Sequence, residues 1–189
     1  ASTRIGAIGE FKMSGAIVMR IRDLTGQRSS LLIPRVAYNS YRGGSWYAVK
    51  APLRQAAMGP DGTSWLLGNV PNAAPSYEVA IETGEGEAVL PATADAARIE
   101  NLPARSVSVS SLGAVAAQDV PTFLRYRVAT GSGVSLQAPP DDKDLEVPAK
   151  EDPAVAAVAQ ELGLAKRSGK EAIDAIGNLF QDRFRYTLD

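Results

Sequence analysis

The sequence predicts a mainly β protein, an antiparallel β-sandwich of immunoglobulin-like or related type with a pair of helices at its C-terminal end. Short segments of alternating apolar and polar residues recur through the first 140 residues. Turn-forming residues separate these segments at intervals of about 8–12 residues, as is typical of antiparallel sandwiches and barrels. A helical period of apolar residues begins only after residue 150. Of the two β architectures we predict the sandwich.

The central element is a predicted β-hairpin around Gly43 and Gly44. The alternation of apolar and polar residues predicts one long, half-buried strand from Leu31 to Tyr41. The glycine pair supplies the two positive-φ positions of a tight turn, and β-rich composition resumes directly after it. We expect Trp46 to fold back across this hairpin and anchor the core. The large aromatic residues that converge near the turn are Tyr38, Tyr41 and Trp46.

The strands on either side of the hairpin are less regular. Residues 1–15 predict an extended arm, and a strand at Ala16–Arg22 is expected to pair with the long strand of the hairpin. Residues 51–76 show no sustained period, which predicts a long loop with a short strand at Trp65–Leu67. Trp65 is interpreted as an anchor that holds this loop on the core, with exposure as a contact residue as the alternative.

The second half of the β region gives the clearest alternation. Tyr77–Thr83 is predicted as a strand with its apolar residues inward and with Glu78 and Glu82 on the solvent side. Pro, Gly or Asp bounds each of the segments that follow, which favours short strands joined by tight turns. Further strands are predicted at Ala88–Leu90, Ala97–Ile99, Val107–Val109, Ala114–Ala116 and Phe123–Ala129.

The C-terminal part is predicted to be helical. An acidic, proline-containing linker at residues 141–152 separates a β-sandwich module, residues 1–140, from a helical segment, residues 153–189. The first helix is expected to begin with Asp152 as its N-cap and to end before Gly163. A capping box then starts the second helix, whose apolar stripe needs a partner surface. The residues of this stripe are Ile173, Ile176, Phe180 and Phe184.

Composition excludes several classes of chemistry. The 189 residues contain no cysteine and no histidine, so this chain cannot form a Cys–His or Ser–His–Asp nucleophile system or a disulfide framework. No motif for a phosphate, a metal or a cofactor is present, and none is predicted to bind. The net charge of −1 argues against nucleic acid as a partner. No apolar run approaches the ~18 residues of a membrane span.

The order of the parts resembles the extracytoplasmic region of bacterial membrane-anchored, transglutaminase-like proteins. The matching parts are a TRIG–IG–KMSG arm at Thr3–Gly15, a YNSYRGGSW hairpin at Tyr38–Trp46 and a helix pair that ends in FRYTL at Phe184–Leu188. In that family a papain-like core with a Cys–His–Asp triad follows the FRYTL-like strand. The resemblance therefore implies no catalytic residue within this chain, which we predict to be inactive by itself.

The same resemblance implies a location and partners. It places the chain on the extracytoplasmic side of a bacterial membrane, between membrane helices before Ala1 and a catalytic core after Asp189. The chain would position that core, and a second copy of the chain is an alternative partner for the helical stripe. A rival hypothesis is a free-standing β-sandwich module that binds polysaccharide or peptide through Tyr41, Trp46 and Trp65. A third is an enzyme that uses Ser, Lys or carboxylate groups.

Overall fold

The computed structural model describes residues 2–4, 17–26, 31–34, 36–49, 51–68, 73–84 and 86–184, with only the backbone described at 2–4. These residues form a mainly antiparallel β fold followed by two helices, which confirms the predicted fold class. In the described part of the chain the strands are β1 (Ser2–Arg4), β2 (Met19–Asp23), β3 (Ser40–Arg42), β4 (Ser45–Tyr47), β5 (Leu53–Gln55), β6 (Ala57–Met58), β7 (Trp65–Leu66), β8 (Ala74–Glu82), β9 (Gly86–Leu90), β10 (Ala96–Glu100), β11 (Ser106–Ser110), β12 (Val115–Val120) and β13 (Phe123–Thr130).

Three antiparallel sheets contain these strands. The six-stranded sheet has the order β2-β8-β13-β10-β7-β6, and the four-stranded sheet has the order β5-β11-β12-β9. The third sheet, β1-β4-β3, is separate from both. The division of the chain into a β-sandwich module (1–140), a linker (141–152) and a helical segment (153–189) remains a prediction.

The core joins the inward faces of the six-stranded and four-stranded sheets. Strand β8 contributes alternate residues from Tyr77 to Ile81, and β13 contributes Leu124 and Tyr126, because successive side chains of a strand point to opposite faces. The four-stranded sheet contributes aliphatic residues to the same core. These residues are Ala88, Leu90, Val107, Val109, Val115 and Ala117.

The predicted long strand from Leu31 to Tyr41 is wrong. None of the described residues 31–34 and 36–39 lies in a strand, and only Ser40–Arg42 pairs with β4. Pro34 has no N–H to give to a ladder. The alternation of the sequence puts Leu32, Val36 and Tyr38 on the apolar face of this strand. In the structure Leu31 and Ile33 pack against the core, and Leu32 is 89% exposed.

Two further pairings differ from the prediction. Strand β2 pairs with β8, with Met19 opposite Ile81, and takes the edge of the six-stranded sheet instead of joining the hairpin. The predicted loop at residues 51–76 contains β5 and β6 as well as the expected β7. Strands of two or three residues are too short to show a period in the sequence.

In the part of the chain that the structure describes, two α-helices and one short 3-10 helix follow the sheets. Helix α1 (Asp152–Glu161) has Glu151 as its N-cap with no side-chain cap, so the predicted cap at Asp152 is wrong by one position. A 3-10 turn at Leu164–Lys166 leads to helix α2 (Gly169–Arg183), where the predicted capping box between Ser168 and Glu171 is confirmed. Neither α-helix contains a buried residue. The TRIG–IG–KMSG arm beyond residue 4 and the FRYTL tail beyond Phe184 lie outside the described residues.

Candidate functional site

The described residues offer neither a candidate metal site nor an unpaired buried polar side chain. Within them, no group of three or more acidic side chains is placed to hold a metal ion, and every buried side-chain polar atom has a hydrogen-bond partner. No helix among the described residues has the length and apolar character that a membrane span requires. The features that remain are surfaces: an aromatic hairpin, a cleft beside Tyr38, the apolar stripe of α2 and an arginine-rich sheet face.

The aromatic hairpin is the tip formed by β3 and β4. Gly43 and Gly44 have φ values of 55° and 79°, as a type I′ turn requires, and they place Tyr41 directly opposite Trp46. The two rings lie 5.2 Å apart at an interplanar angle of 53°. Trp46 is nevertheless 42% exposed, so it is not the predicted core anchor. The reason is topological, since β4 belongs to the separate three-stranded sheet and not to the sandwich.

Trp65 packs in the core, as the sequence predicted for the anchor of its loop. It is 3% exposed, and its Nε1–H donates to the carbonyl oxygen of Leu102 at 3.2 Å. Strand β7 places it opposite Ile99 in the six-stranded sheet. Trp65 therefore packs inside the sandwich, and the platform of Tyr41, Trp46 and Trp65 does not form.

Tyr38, two residues before β3, lines a cleft of about 230 Å³. The neighbouring Asn39 holds this segment in place, because its side-chain amide bonds both the N–H and the C=O of Val49. The cleft also contains two aspartates that the sequence analysis assigned to a solvated linker. The polar residues around it are Asn39, Ser111, Gln137, Asp141 and Asp144. Its volume is below the ~300–1,000 Å³ of most ligand pockets.

The apolar stripe of α2 is exposed. Ile173, Phe180 and Phe184 are 71%, 55% and 60% exposed, and the rings of Phe180 and Phe184 lie 4.8 Å apart. Another side of α2 faces α1: Leu162, Ala175 and Leu179 line one cavity. There Arg183 forms an ion pair with Glu161 that raises the pKa of Arg183, by hydrogen bonding first and by charge second. Packing within the helix pair thus leaves the stripe uncovered.

The start of α2 carries a titratable cap. The N–H and the hydroxyl of Ser168 both donate to the carboxylate of Glu171, at 2.8 and 2.9 Å. The N–H bond first, and the hydroxyl bond second, hold the pKa of Glu171 below its usual value. The local fold of α2 is therefore well specified although its apolar stripe has no cover.

An arginine cluster on the outer face of the six-stranded sheet was missed by the sequence analysis. Glu78 was predicted to face solvent, but its side chain is only 11% exposed. The guanidinium groups of Arg22, Arg125 and Arg127 surround its carboxylate at 3.1, 3.6 and 3.7 Å. Strands β2 and β13 flank β8, and their registers place Arg22 and Arg127 directly beside Glu78. The sequence does show arginines at alternate positions along β2 and β13. It does not show that these two strands flank β8, which is what brings the arginines together.

Comparison with models of protein families, with curated proteins and with solved structures found no match to this chain.

Proposed function

We propose that this chain is a non-catalytic β-sandwich module of a bacterial membrane-anchored, transglutaminase-like protein, and that it positions a catalytic core on the extracytoplasmic side. The observation that carries this proposal is the uncovered apolar stripe of α2. The resemblance in the order of the parts supplies the family, and the stripe supplies the surface on which the core packs.

The stripe has the geometry of a packing surface. Ile173, Ile176 and Phe180 follow each other at spacings of three and four residues, which align side chains on one side of an α-helix. Soluble monomers rarely expose contiguous apolar patches of more than a few hundred Å², roughly. An isolated helix of this length is also marginal in water, so α2 gains most of its stability from packing. A partner that covers the stripe would remove the exposed apolar patch, and it would also supply the packing that stabilises α2.

The sandwich supports the proposed role of this chain in positioning a catalytic core. It buries its own core between two sheets and holds the polar atoms of Trp65, Tyr77 and Tyr126 in hydrogen bonds. A rigid body of this kind suits a spacer that keeps a catalytic core at a fixed distance from a membrane. Among the described residues, the two serine hydroxyls that contact carboxylates, Ser64 with Asp61 and Ser168 with Glu171, belong to a turn and to a helix cap.

The gene on either side of the coding segment provides the first test. We expect membrane-spanning segments before Ala1, and a cysteine, a histidine and an aspartate with papain-like order after Asp189. A stop codon directly after Asp189, or a flanking region without these features, would refute the assignment to this family.

The second test measures binding to the core, once the flanking sequence has defined it. The Ile176→Asp/Phe180→Asp variant should lose binding to a separately produced core in a pull-down assay. The matched control, Asn178→Asp/Gln181→Asp, adds the same two charges to polar positions of α2 and should bind like the parent. Equal binding by both variants would show that the core does not pack on the stripe. Light scattering on the same proteins distinguishes self-association through the stripe from binding to the core.

A binding module for polysaccharide or peptide is the second candidate. The exposed Trp46 ring, tilted against Tyr41, favours it, because an exposed aromatic face is a surface on which a sugar can stack. The buried Trp65 cannot take part. In this alternative, Trp46→Ala abolishes binding in a polysaccharide array and lowers the melting temperature by only a few degrees, roughly. Absence of any binding by the parent chain removes the candidate.

A further inference from the structure

We infer that the outer face of the six-stranded sheet binds an extended acidic peptide segment of a partner protein. This face lies on the sandwich, and neither the hairpin nor the helices contribute to it. The inference is independent of the proposed function, which rests on α2.

The face carries an excess of positive charge around one fixed carboxylate. Three guanidinium groups share Glu78, so two positive charges stay uncompensated. Arg20 adds another, since no acidic group in the described part of the chain pairs with it. The side chains of Arg22, Arg125 and Arg127 are 65%, 64% and 44% exposed, which leaves N–H groups of their planar forks open to solvent. The shared carboxylate orders these side chains before a ligand arrives.

The arginines form two parallel rows. Strands β2 and β13 both run antiparallel to β8, so they run parallel to each other on either side of it. Arg20 and Arg125 flank Ala80, and Arg22 and Arg127 flank Glu78. The small side chain of Ala80 leaves a shallow trough between the first pair. At the far side of β13 the next strand contributes Glu100, which is paired with Arg98 and closes the positive region.

Each row begins with an exposed apolar residue. Phe123 is 62% exposed and lies opposite Glu82, and Val18, one residue before β2, is 71% exposed. Each row therefore reads apolar, arginine, arginine at alternate positions of a strand. Residues i and i+2 of an extended chain are about 6.6–6.8 Å apart, and an extended peptide has the same repeat. A segment with one apolar and two acidic residues at alternate positions fits either row.

This pattern favours a peptide over a uniform polyanion. A nucleic acid, a sulfated polysaccharide or an anionic bilayer presents charge at every repeat. Such a ligand would bring negative charge against Glu82, which lies beside Phe123 at the apolar end of the rows. A peptide can place an apolar residue at that end and carboxylates beside the arginines, where bidentate guanidinium–carboxylate pairs form.

Fluorescence anisotropy with a dye-labelled peptide, acetyl-Leu-Thr-Glu-Thr-Glu-Thr-amide, tests the inference at physiological salt. We expect binding by the parent chain, and a loss of affinity of at least about tenfold in Arg20→Gln/Arg125→Gln, because this variant removes two of the guanidinium groups that pair with the peptide carboxylates. The charge-matched control is Arg42→Gln/Lys166→Gln, which removes two cations from the hairpin and the 3-10 turn and should bind like the parent. Thermal melts establish that both variants are folded.

Further probes separate the alternatives. A peptide with its two glutamates adjacent, acetyl-Leu-Thr-Thr-Glu-Glu-Thr-amide, should bind more weakly, and equal affinity would refute the alternate-position fit. Heparin, a single-stranded oligonucleotide or phosphatidylserine vesicles should compete less well than the peptide. Tighter binding of any of these through Arg20 and Arg125 would overturn the peptide assignment, and so would the absence of peptide binding by the parent.

Discussion

The sandwich and the helix pair treat their aromatic residues in opposite ways. In the sandwich, Tyr77 and Tyr126 are completely buried and both hydroxyl groups are hydrogen-bonded. In the helix pair, Phe180 and Phe184 contact each other but remain more than half exposed. The sandwich thus buries these aromatic rings and pairs their polar groups internally. The helix pair is held locally by a capping box and leaves its largest side chains exposed to solvent.

This difference indicates where stability and function reside. A core residue of the sandwich loses its packing partners when it is truncated, so its substitution reduces the free energy of unfolding. A stripe residue of α2 has few partners to lose within this chain. Substitutions in the sandwich should therefore act on stability, and substitutions in the stripe should act on binding.

The largest effect is expected for Trp65→Ala. Truncation removes a ring that is 3% exposed and breaks the hydrogen bond from its Nε1–H to Leu102. We expect the free energy of unfolding to fall by about 3–5 kcal/mol, measured by urea denaturation. A loss of less than about 1 kcal/mol would contradict the role of Trp65 in the core and would remove the contrast between the two regions.

A smaller effect is expected for Tyr77→Phe. The hydroxyl of Tyr77 accepts a hydrogen bond from the N–H of Thr93 at 2.8 Å and donates to Thr93 Oγ1 at 3.2 Å. The phenylalanine ring keeps the packing but leaves a buried N–H without this acceptor, so we expect a loss of about 1–3 kcal/mol in urea denaturation. Tyr47→Phe, at an exposed position of the hairpin, is the control and should be close to neutral.

Much of the sandwich was predictable because its strands bury one face and expose the other. Strand β13 alternates from Phe123 to Val128, and a register shift follows at Ala129. The structure places the strand at Phe123–Thr130 against a predicted Phe123–Ala129. Where the chain is irregular or forms a two-residue strand, the alternation no longer indicates which residues are buried. Leu31 and Ile33 pack on the core from an irregular segment, and no local rule identifies such a segment.

The candidate surfaces were harder to predict because they depend on strand order. Arg22 and Arg127 are far apart in the chain, and they meet at Glu78 only because β2 and β13 both pair with β8. The burial of the two tryptophans also depends on strand order. Each occurs in a short strand next to turn residues, and only the assignment of β4 and β7 to different sheets decides which one is buried. The α2 stripe, by contrast, follows from helical spacing alone.

Trp46→Ala should have a modest effect. Its ring is 42% exposed and its visible aromatic partner is Tyr41, so the loss comes mainly from one ring pair. We expect a decrease of about 0.5–1.5 kcal/mol in the free energy of unfolding, well below that of Trp65→Ala. Equal losses for the two tryptophan variants in the same urea titration would show that the hairpin is part of the cooperative core.

The smallest effect is expected from acid, and it should distinguish the two regions. Each contains a carboxylate with a lowered pKa: Glu171 at the start of α2, and Asp61 in the β6–β7 turn, where the Ser64 hydroxyl and then the Thr63 N–H stabilise the charged form. A lowered pKa in the folded state stabilises the fold above the ordinary pKa of the group, and this contribution disappears as the pH falls through the lowered value. Both contributions are therefore present at pH 7 and are lost below about pH 4.

The consequences of that loss differ because the surroundings differ. The turn at Asp61 leads directly into β7, which Trp65 fixes in the core, so protonation there should change only a few local amide signals. The start of α2 has no buried residue to hold it, so protonation of Glu171 should let the first turn unwind. Amide chemical shifts followed by NMR from pH 7 to about pH 3 should show helix loss at residues 168–172 while the β8 and β13 signals persist. In Glu171→Gln, which has no titrating group at this position, the helix signals should no longer depend on pH in this range. Simultaneous loss of the helix and sandwich signals in the parent would mean that the helices and the sandwich unfold as one unit, and the proposed division between a stabilising sandwich and a binding helix would be wrong.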